Sequence, residues 1–439
     1  MSSLALGLDL GSSGLRLALL AAEARADQPL LIERSCPYPR PFEDPEGWRQ
    51  GFRSLVAGLD PELRHRIGAI AIAGTSGTLL CCDADGGLLP APLGMALPYH
   101  LSCEEQQPVC ERLCGSAAGS AASASGSLAR ALRLLGRIPA LAEAGPQGAS
   151  HLLLRHQADW LMGWLLGDWR WGEEGNNLRL GWDLQRRCWS GSIARQPWAA
   201  ALPRIRPSGT VLGCLAPGTA RLLDLPDDCR VVAGSTDANA GVLAVDPGEG
   251  DGITVLGTTL VLKQFVTAPI EAPGVSSHRV AGRWLLGGAS NAGAGILRRF
   301  FNDDQIRELS RQIDPQRCTG LDLLPLPRRG ERFPVDDPRL EPRLGPRPIS
   351  DALYLQALLE GLTALEQRGW QRFAELGAPP LRRVISLGGG ARNPQWARLR
   401  RRALGVPVLL RPGLSAALGM ARLAQRAAGG PEDPHAGGG

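Results

Sequence analysis

The sequence predicts an α/β protein made of two domains built alike. The chain has 439 residues, more than one ordinary hydrophobic core accommodates. It opens on an apolar run from Leu4 to Leu10, breaks at Gly11-Ser12-Ser13-Gly14, and resumes as a second apolar run. The same design returns at "GITVLGTTLVLKQF", residues 252–265: an apolar run, a Gly with two hydroxyl residues, and a further apolar run. The expected domains are 1–245 and 246–428. A last helix near 415–427 is expected to pack back on the first domain, and 429–439 to form a disordered tail.

"LALGLDL" and "LRLALLAA" read as antiparallel neighbours around a tight turn, and "LLIERSCPYP" as a third strand. Trp48, Phe52, Leu55 and Leu59 recur at helical spacing. "IGAIAIAG", residues 67–74, is a buried strand ending in "GTSGT", and a hairpin is expected around Asp85-Gly86-Gly87. "GSAAGSAASASGS", residues 115–127, is a low-complexity loop ahead of the helix "LARALRLLGRI". "ASHLLLRHQADWLMGWLLG" reads as a Trp-rich helix. "RVVAGSTDANAG", residues 230–241, is a strand that ends on an acid and small residues, as the first strand does. In the second domain "RWLLGGASNAGAGILRRFF" reads as strand, Gly/Ala loop and helix. A Pro-rich irregular stretch precedes the long amphipathic helix "ALYLQALLEGLTALEQRGWQRFAEL". "RRVISLGGGARNPQWARLRRRALG" is strand, glycine turn and helix.

Composition narrows the function. No apolar stretch is long enough for a membrane span, and the N-terminus enters a strand pattern directly, so a cytoplasmic protein without a secretory leader is expected. The formal charge of +5 is small and its basic residues are interspersed with acids, which does not indicate a nucleic-acid partner. The ten cysteines form no C-x-x-C pair, so zinc is unsupported and reduced thiols are expected. Lys263 is the only lysine, so any lysine-dependent chemistry must use it.

Gly-rich turns after strands suggest a nucleotide, and the usual binding loops can be tested. A Walker A loop is absent, because Lys263 is followed by Gln264 and lacks the glycine spacing. Neither an H-R-D loop nor a D-F-G motif occurs. The glycines at 7, 11 and 14 have the wrong spacing for a dinucleotide fold and lead into a strand. A phosphate can still be held without lysine, by backbone N–H groups and hydroxyls of a tight Gly/Ser turn, with Mg²⁺ supplying the positive charge. Two such hairpins would grip a triphosphate, and Asp9 beside one of them would hold Mg²⁺ through water.

Six segments in order, "GLDLGSSGLR", "AIAGTSGT", "GSTDANAGVLA", "VLGTTLVLK", "GGASNAGAG" and "LGGGARNPQW", make the chain resemble the FGGY carbohydrate kinases of the actin-like ATPase superfamily. "IAIAGTSGT", "QADWL", "GLDLLPLPRRGERFP" and "LLEGLTALE" are similar to the short plant and cyanobacterial D-ribulose kinase branch, related to xylulose kinases. The resemblance implies two RNase H-like α/β domains with a cleft between them, sugar lying mostly against the first and ATP mostly on the second. It implies Asp237 as catalytic base and Asp9, with Asp237, at the metal and the substrate. It places Gly11, Ser12, Ser13, Gly257, Thr258, Thr259, Gly293, Gly389, Gly390, Asn393 and Trp396 at ATP, and Thr75 and Ser76 at the sugar.

Each assignment has a structural alternative. Asp237 can cap a helix and Asp9 buttress a turn; Thr75 and Ser76 can shape one. The glycines at 388–390 can serve strand–helix packing, and Trp396 the core. The chain also departs from larger relatives. Their Trp-x-Asp-x-Arg segment is replaced by "LPYHLSCEEQ", where Tyr99 and His100 are the substitutes, and Ala73 stands where an acid often precedes "GTSGT". Ala73 and a length of 439 residues, shorter than many relatives, favour a small, less clamped pentulose over glycerol or a hexose. The expected activity is therefore ATP- and Mg²⁺-dependent phosphorylation of D-ribulose to D-ribulose 5-phosphate, with D-xylulose as the alternative substrate. A non-catalytic binding protein and an actin-like chaperone on the same fold are the rivals from other classes.

Overall fold

A computed structural model describes residues 3–21, 30–115, 120–138 and 151–429. The expected tail from 430 onward and part of the small-residue loop, 116–119, lie outside them. The chain forms two compact units. The first comprises Met1–Asp246, Arg279–Gly282 and Ser415–Gly439; the second comprises Pro247–His278 and Arg283–Leu414.

Each unit is built on a six-stranded mixed sheet. In the first, β1 (Leu4–Gly11) pairs antiparallel with β2 (Gly14–Ala21), and β2 with β3 (Ile32–Cys36). On its other edge β1 runs parallel to β4 (Ile67–Gly74), and β4 parallel to Arg230–Thr236, with Val211–Cys214 antiparallel at the far edge. Alternation along β1 explains its two-sided burial. Leu4, Leu6, Leu8 and Leu10 face a core shared with Trp48 and Phe52 of α1 (Pro45–Ala57). That helix is begun by Asp44, whose carboxylate accepts the Glu46 N–H at 3.0 Å, and by Pro45 in its first turn. Its Trp48 and Phe52 meet Trp160 and Trp164 of the helix Gln157–Leu166 edge-to-face, at 6.0 and 6.3 Å.

The second unit repeats the pattern. Asp251–Leu256 and Leu260–Val266 form the antiparallel hairpin, Arg283–Ala289 extends it, and Arg383–Leu387 and Val408–Leu410 run parallel on the other side. The long helix Asp351–Glu375 packs Leu355, Leu358, Leu362 and Phe373 into the core of this unit.

Three expectations change. The Trp-rich stretch is not helical throughout: Leu152–His156 is a strand, and only Gln157–Leu166 is helix. The Asp85-Gly86-Gly87 hairpin forms, with Asp83 Oδ1 accepting the Gly87 N–H at 2.7 Å and an antiparallel bridge from Cys82 to Leu88, but strand Leu79–Asp83 gains its main partner in Leu152–His156, with which it pairs along its length. After the Gly/Ala loop, Ala294–Arg299 is a 3₁₀ helix.

Candidate active site

Parallel strands end together, and the register shows which residues they deliver. Leu10 of β1, Gly74 of β4 and Thr236 pair across adjacent strands in one row. Thr75 and Asp237 follow directly after that row, and Asp9 lies one residue before it. The C-terminal edge of the first sheet thus collects both acids and the "GTSGT" turn.

Asp9 and Asp237 line one pocket of about 420 Å³ together with Gly11, Ser12, Ser13 and Gly14. Ser12 and Ser13 are exposed at the turn. A Cβ on Gly14 would lie 2.4 Å from the Cys36 carbonyl oxygen, so the close approach of the turn to β3 requires glycine. Asp9 Oδ1 is buried without a hydrogen-bond partner. Burial first, and then the negative charge of Asp237, push the Asp9 carboxyl up to about 7, against the opposing pull of Arg16. Asp237 opens the helix Asp237–Ala244, but it is Thr236 that caps it, accepting the Asn239 N–H at 3.4 Å. Asp237 Oδ1 accepts the Ala238 N–H at 2.7 Å, and the residue is half-buried at the pocket wall.

This arrangement fits Mg²⁺. A buried carboxyl with an orphaned oxygen, whose ionisation the neighbouring Asp237 charge makes costlier, is a setting that a divalent cation relieves. Among the described residues no group of three or more His, Cys, Asp or Glu is arranged to hold a metal. Mg²⁺ needs none, since it is held by one or two carboxylates plus phosphate oxygens and water.

The sugar-contact expectations fare differently. Thr75 is 2% exposed, and its hydroxyl bonds to Thr78 Oγ1 at 2.6 Å and donates to Gln157 Oε1 at 2.9 Å. It shapes the turn from within. Ser76 beside it is half-buried. Tyr99 and His100 are exposed and stack edge-to-face at 5.2 Å, outside the lining of the acid pocket. Their loop is held by fully buried Arg130, which donates to the Gly77, Tyr99 and Leu101 carbonyls.

In the second unit, Gly257, Thr258 and Thr259 form the second hairpin turn, with Thr258 exposed. Gly293 backs that turn, since a Cβ there would lie 2.4 Å from the Thr258 carbonyl oxygen. Gly388 has φ +82°, and a Cβ on Gly390 would meet Trp396 at 2.6 Å and Leu256 at 2.8 Å. Packing accounts for both glycines. Gly389 between them is exposed with open space around it. Asn393 caps the helix Pro394–Leu404, accepting the Gln395 and Trp396 N–H groups at 3.1 Å and donating to Ser310 at 2.9 Å. Trp396 is 2% exposed in the core, and its indole donates to Thr363 at 3.0 Å, so it supports the glycine turn from behind.

Residues 252–428 match the C-terminal domain of the FGGY family of carbohydrate kinases. An L-fuculokinase from Salmonella typhi is 24% identical over 248 residues, 52% of this chain and 50% of that protein, so the chain spans about half the length of this curated relative. A xylulose kinase structure from Rhodospirillum rubrum superposes with TM-score 0.78 at 20% identity, covering 97% of this chain and 90% of that one. A Plasmodium falciparum glycerol kinase structure with ADP gives the same TM-score and coverage at 14% identity. The chain has the sugar-kinase fold. Among its described residues no helix is long and apolar enough to cross a membrane.

Arg16 belongs to the pocket of this sugar-kinase fold and was missing from the sequence expectations. It sits opposite Asp9 in the β1–β2 register and pairs with Glu33 at 3.3 Å. Its signal was present: a tight hairpin turning on Ser12-Ser13 places residue 16 across from residue 9.

Proposed function

We propose that this protein is an ATP- and Mg²⁺-dependent ketopentose kinase that converts D-ribulose to D-ribulose 5-phosphate, with D-xylulose as the nearest alternative acceptor. The observation that carries the reading is the pairing of Asp9 with Asp237 in one pocket bounded by the Gly11–Gly14 turn. The match of 252–428 to a carbohydrate-kinase domain and the sugar-kinase fold of the whole chain support it. The pentulose preference rests on the short-branch motifs and on Ala73, which leaves the sugar without an acid at that strand end.

Asp237 accepts the proton of the primary hydroxyl as that oxygen bonds to the γ-phosphorus. The bond from the γ-phosphorus to the β,γ-bridging oxygen breaks, and ADP leaves. Asp9, with Asp237 beside it, would hold Mg²⁺, which when bound would supply charge to offset the phosphate oxygens. The Ser12 and Ser13 hydroxyls, turn N–H groups and the Arg16 guanidinium donate to those oxygens. In the second unit Thr258, Thr259 and the N–H groups around Gly389 offer donors to the nucleotide.

The test is ADP release with ATP–Mg²⁺ and a panel of D-ribulose, D-xylulose, L-fuculose, gluconate and glycerol. D-ribulose is expected to give the highest kcat/KM. No turnover above background with either ketopentose would sink the reading. Asp237→Asn is expected to lower kcat by roughly 10²–10⁴-fold, the usual worth of a general base.

A further inference from the structure

One hydrogen-bonded chain runs through the first unit from the phosphate-type turn to the loop carrying Tyr99. Tyr38, just past β3, donates its hydroxyl to the Gly11 carbonyl at 2.8 Å. That hydroxyl accepts from Gln157 Nε2 at 3.3 Å. Gln157 Oε1 accepts the Thr75 N–H at 3.1 Å and the Thr75 hydroxyl at 2.9 Å. Thr75 Oγ1 bonds to Thr78 Oγ1, which accepts the Tyr99 N–H at 3.1 Å.

The donors fix the direction of the chain. Thr75 spends its proton on Gln157, so Thr78 donates to Thr75 and is free to accept from Tyr99. Two donors from Thr75 specify the oxygen side of the Gln157 amide, which leaves its NH₂ for Tyr38. Gln157 is fully buried at the first position of its helix, and its own N–H donates to the Thr78 carbonyl at 3.1 Å. Burial pushes the Tyr38 phenol up, so its hydroxyl keeps the proton it gives to Gly11. Gln157 is the member bonded to both sides, to the hairpin through Tyr38 and to the 75–78 turn directly.

The geometry points to Gln157 as a positioning residue that, through Tyr38, holds the Gly11–Gly14 turn and the Thr75–Thr78 turn in one register, so that the Gly11–Gly14 wall of the acid pocket and the adjoining 75–78 turn move as one piece. The role in catalysis rests on the kinase reading above; the mechanical coupling does not. Buried, fully satisfied polar chains stiffen what they connect, and small losses of alignment between reacting groups cost rate more than binding.

Two conservative variants of the full chain test it. Tyr38→Phe removes the hydroxyl that joins Gln157 to Gly11. Gln157→Glu keeps the shape and the acceptor for Thr75 but removes the donor to Tyr38. With the preferred ketopentose, each is expected to lower kcat between about tenfold and a hundredfold while both KM values stay within about threefold. The double variant is expected to lose no more than the worse single one, because both cut the same link. Losses that multiply in the double variant, or a raised KM at unchanged kcat, overturn the proposal. Ligand-free hydrogen exchange reads the coupling without any activity. Tyr38→Phe is expected to speed exchange at residues 75–79 as well as at 11–14, and an effect confined to 11–14 overturns it. A wild-type chain that phosphorylates no sugar, yet shows that shared change in exchange, fails the kinase reading alone.

Discussion

Asp9 shows how a single residue exchanges stability for a charged site. Its folded pKa of about 7 lies above the ordinary carboxyl value of 3.8, so between those pH values the folded chain holds a proton that the unfolded chain releases. The contribution of Asp9 to stability is therefore present at low pH and is lost as pH rises toward 7. Asp9→Asn keeps the shape without the charge. In the absence of divalent cation it is expected to melt above the wild type at pH 8, by on the order of a few degrees. Near pH 4 the two are expected to converge. Glu174 also has a pKa raised to about 7 by burial and titrates in both proteins, so the difference between their melting curves isolates Asp9. Mg²⁺ is expected to raise the wild-type melting temperature more at pH 8 than at pH 6, and to leave Asp9→Asn nearly unmoved. Equal Mg²⁺ shifts in the two proteins would remove Asp9 as the cation's anchor.

Among the elements, the strands that present the second hairpin and the glycine turn are joined by a buried ion pair. Glu366, on the helix Asp351–Glu375, accepts from Arg400 Nε at 2.5 Å and Nη2 at 2.7 Å, and from Thr254 Oγ1 at 2.6 Å. Arg400 also donates to Ser386 Oγ at 2.7 Å. Thr254 lies on the strand leading to Gly257, and Ser386 on the strand leading to Gly388. Both charges are essentially fully buried, so removing one strands the other. Glu366→Leu is expected to destabilise the second unit by about 3–5 kcal/mol, and Glu366→Leu with Arg400→Met to regain most of that, measured by the urea midpoint. A double variant no better than the single one would refute the stranded-charge account.

Elements with strong local patterns were legible in the sequence: both hairpins, the 67–74 strand, and the helices at 45–57 and 351–375. Leu152–His156 was not, because "HLLLRHQADWLMGWLLG" is one apolar stretch in which strand and helix look alike, and the strand is selected by its partner Leu79–Asp83. Asp9 and Asp237 each close a strand pattern ahead of a stretch of small residues, and the family resemblance implies their roles at the metal and the base; the structure brings both to one pocket. The Tyr38–Gln157–Thr75 chain was invisible, since its bonds span 119 and 82 residues and no local pattern marks them. The direction of the Trp396 ring was not legible for a related reason. A tryptophan following a glycine turn has the same local context whether its ring points out or is drawn inward by Thr363, which lies 33 residues away.

On the scale of the whole molecule, the chain does not divide where its sequence match does. The region matching the FGGY C-terminal domain runs to 428, yet the helix Ala416–Gly429 belongs to the first compact unit. There it packs against β1, β2, β4 and the helix Asp237–Ala244. The packing depends on backbone-to-backbone approach. A Cβ on Gly7 of β1 would lie 1.9 Å from the Ala417 carbonyl oxygen, and one on Gly419 would lie 1.8 Å from that of Ala240. Without this helix, the face of β1 that presents Ala5 and Gly7 loses most of its cover, and Asp237 sits on a helix that has lost its main neighbour. A 1–246 fragment is therefore expected to be insoluble or to melt without cooperativity. Joining residues 415–429 to it through a flexible linker is expected to restore a cooperative transition. Gly7→Val and Gly419→Val in the full chain are expected to mimic the deletion in part, because neither backbone has room to retreat. Differential scanning calorimetry of these proteins is the measurement. A 1–246 fragment that melts as sharply as its linked form would show that the first unit does not need the end of the chain.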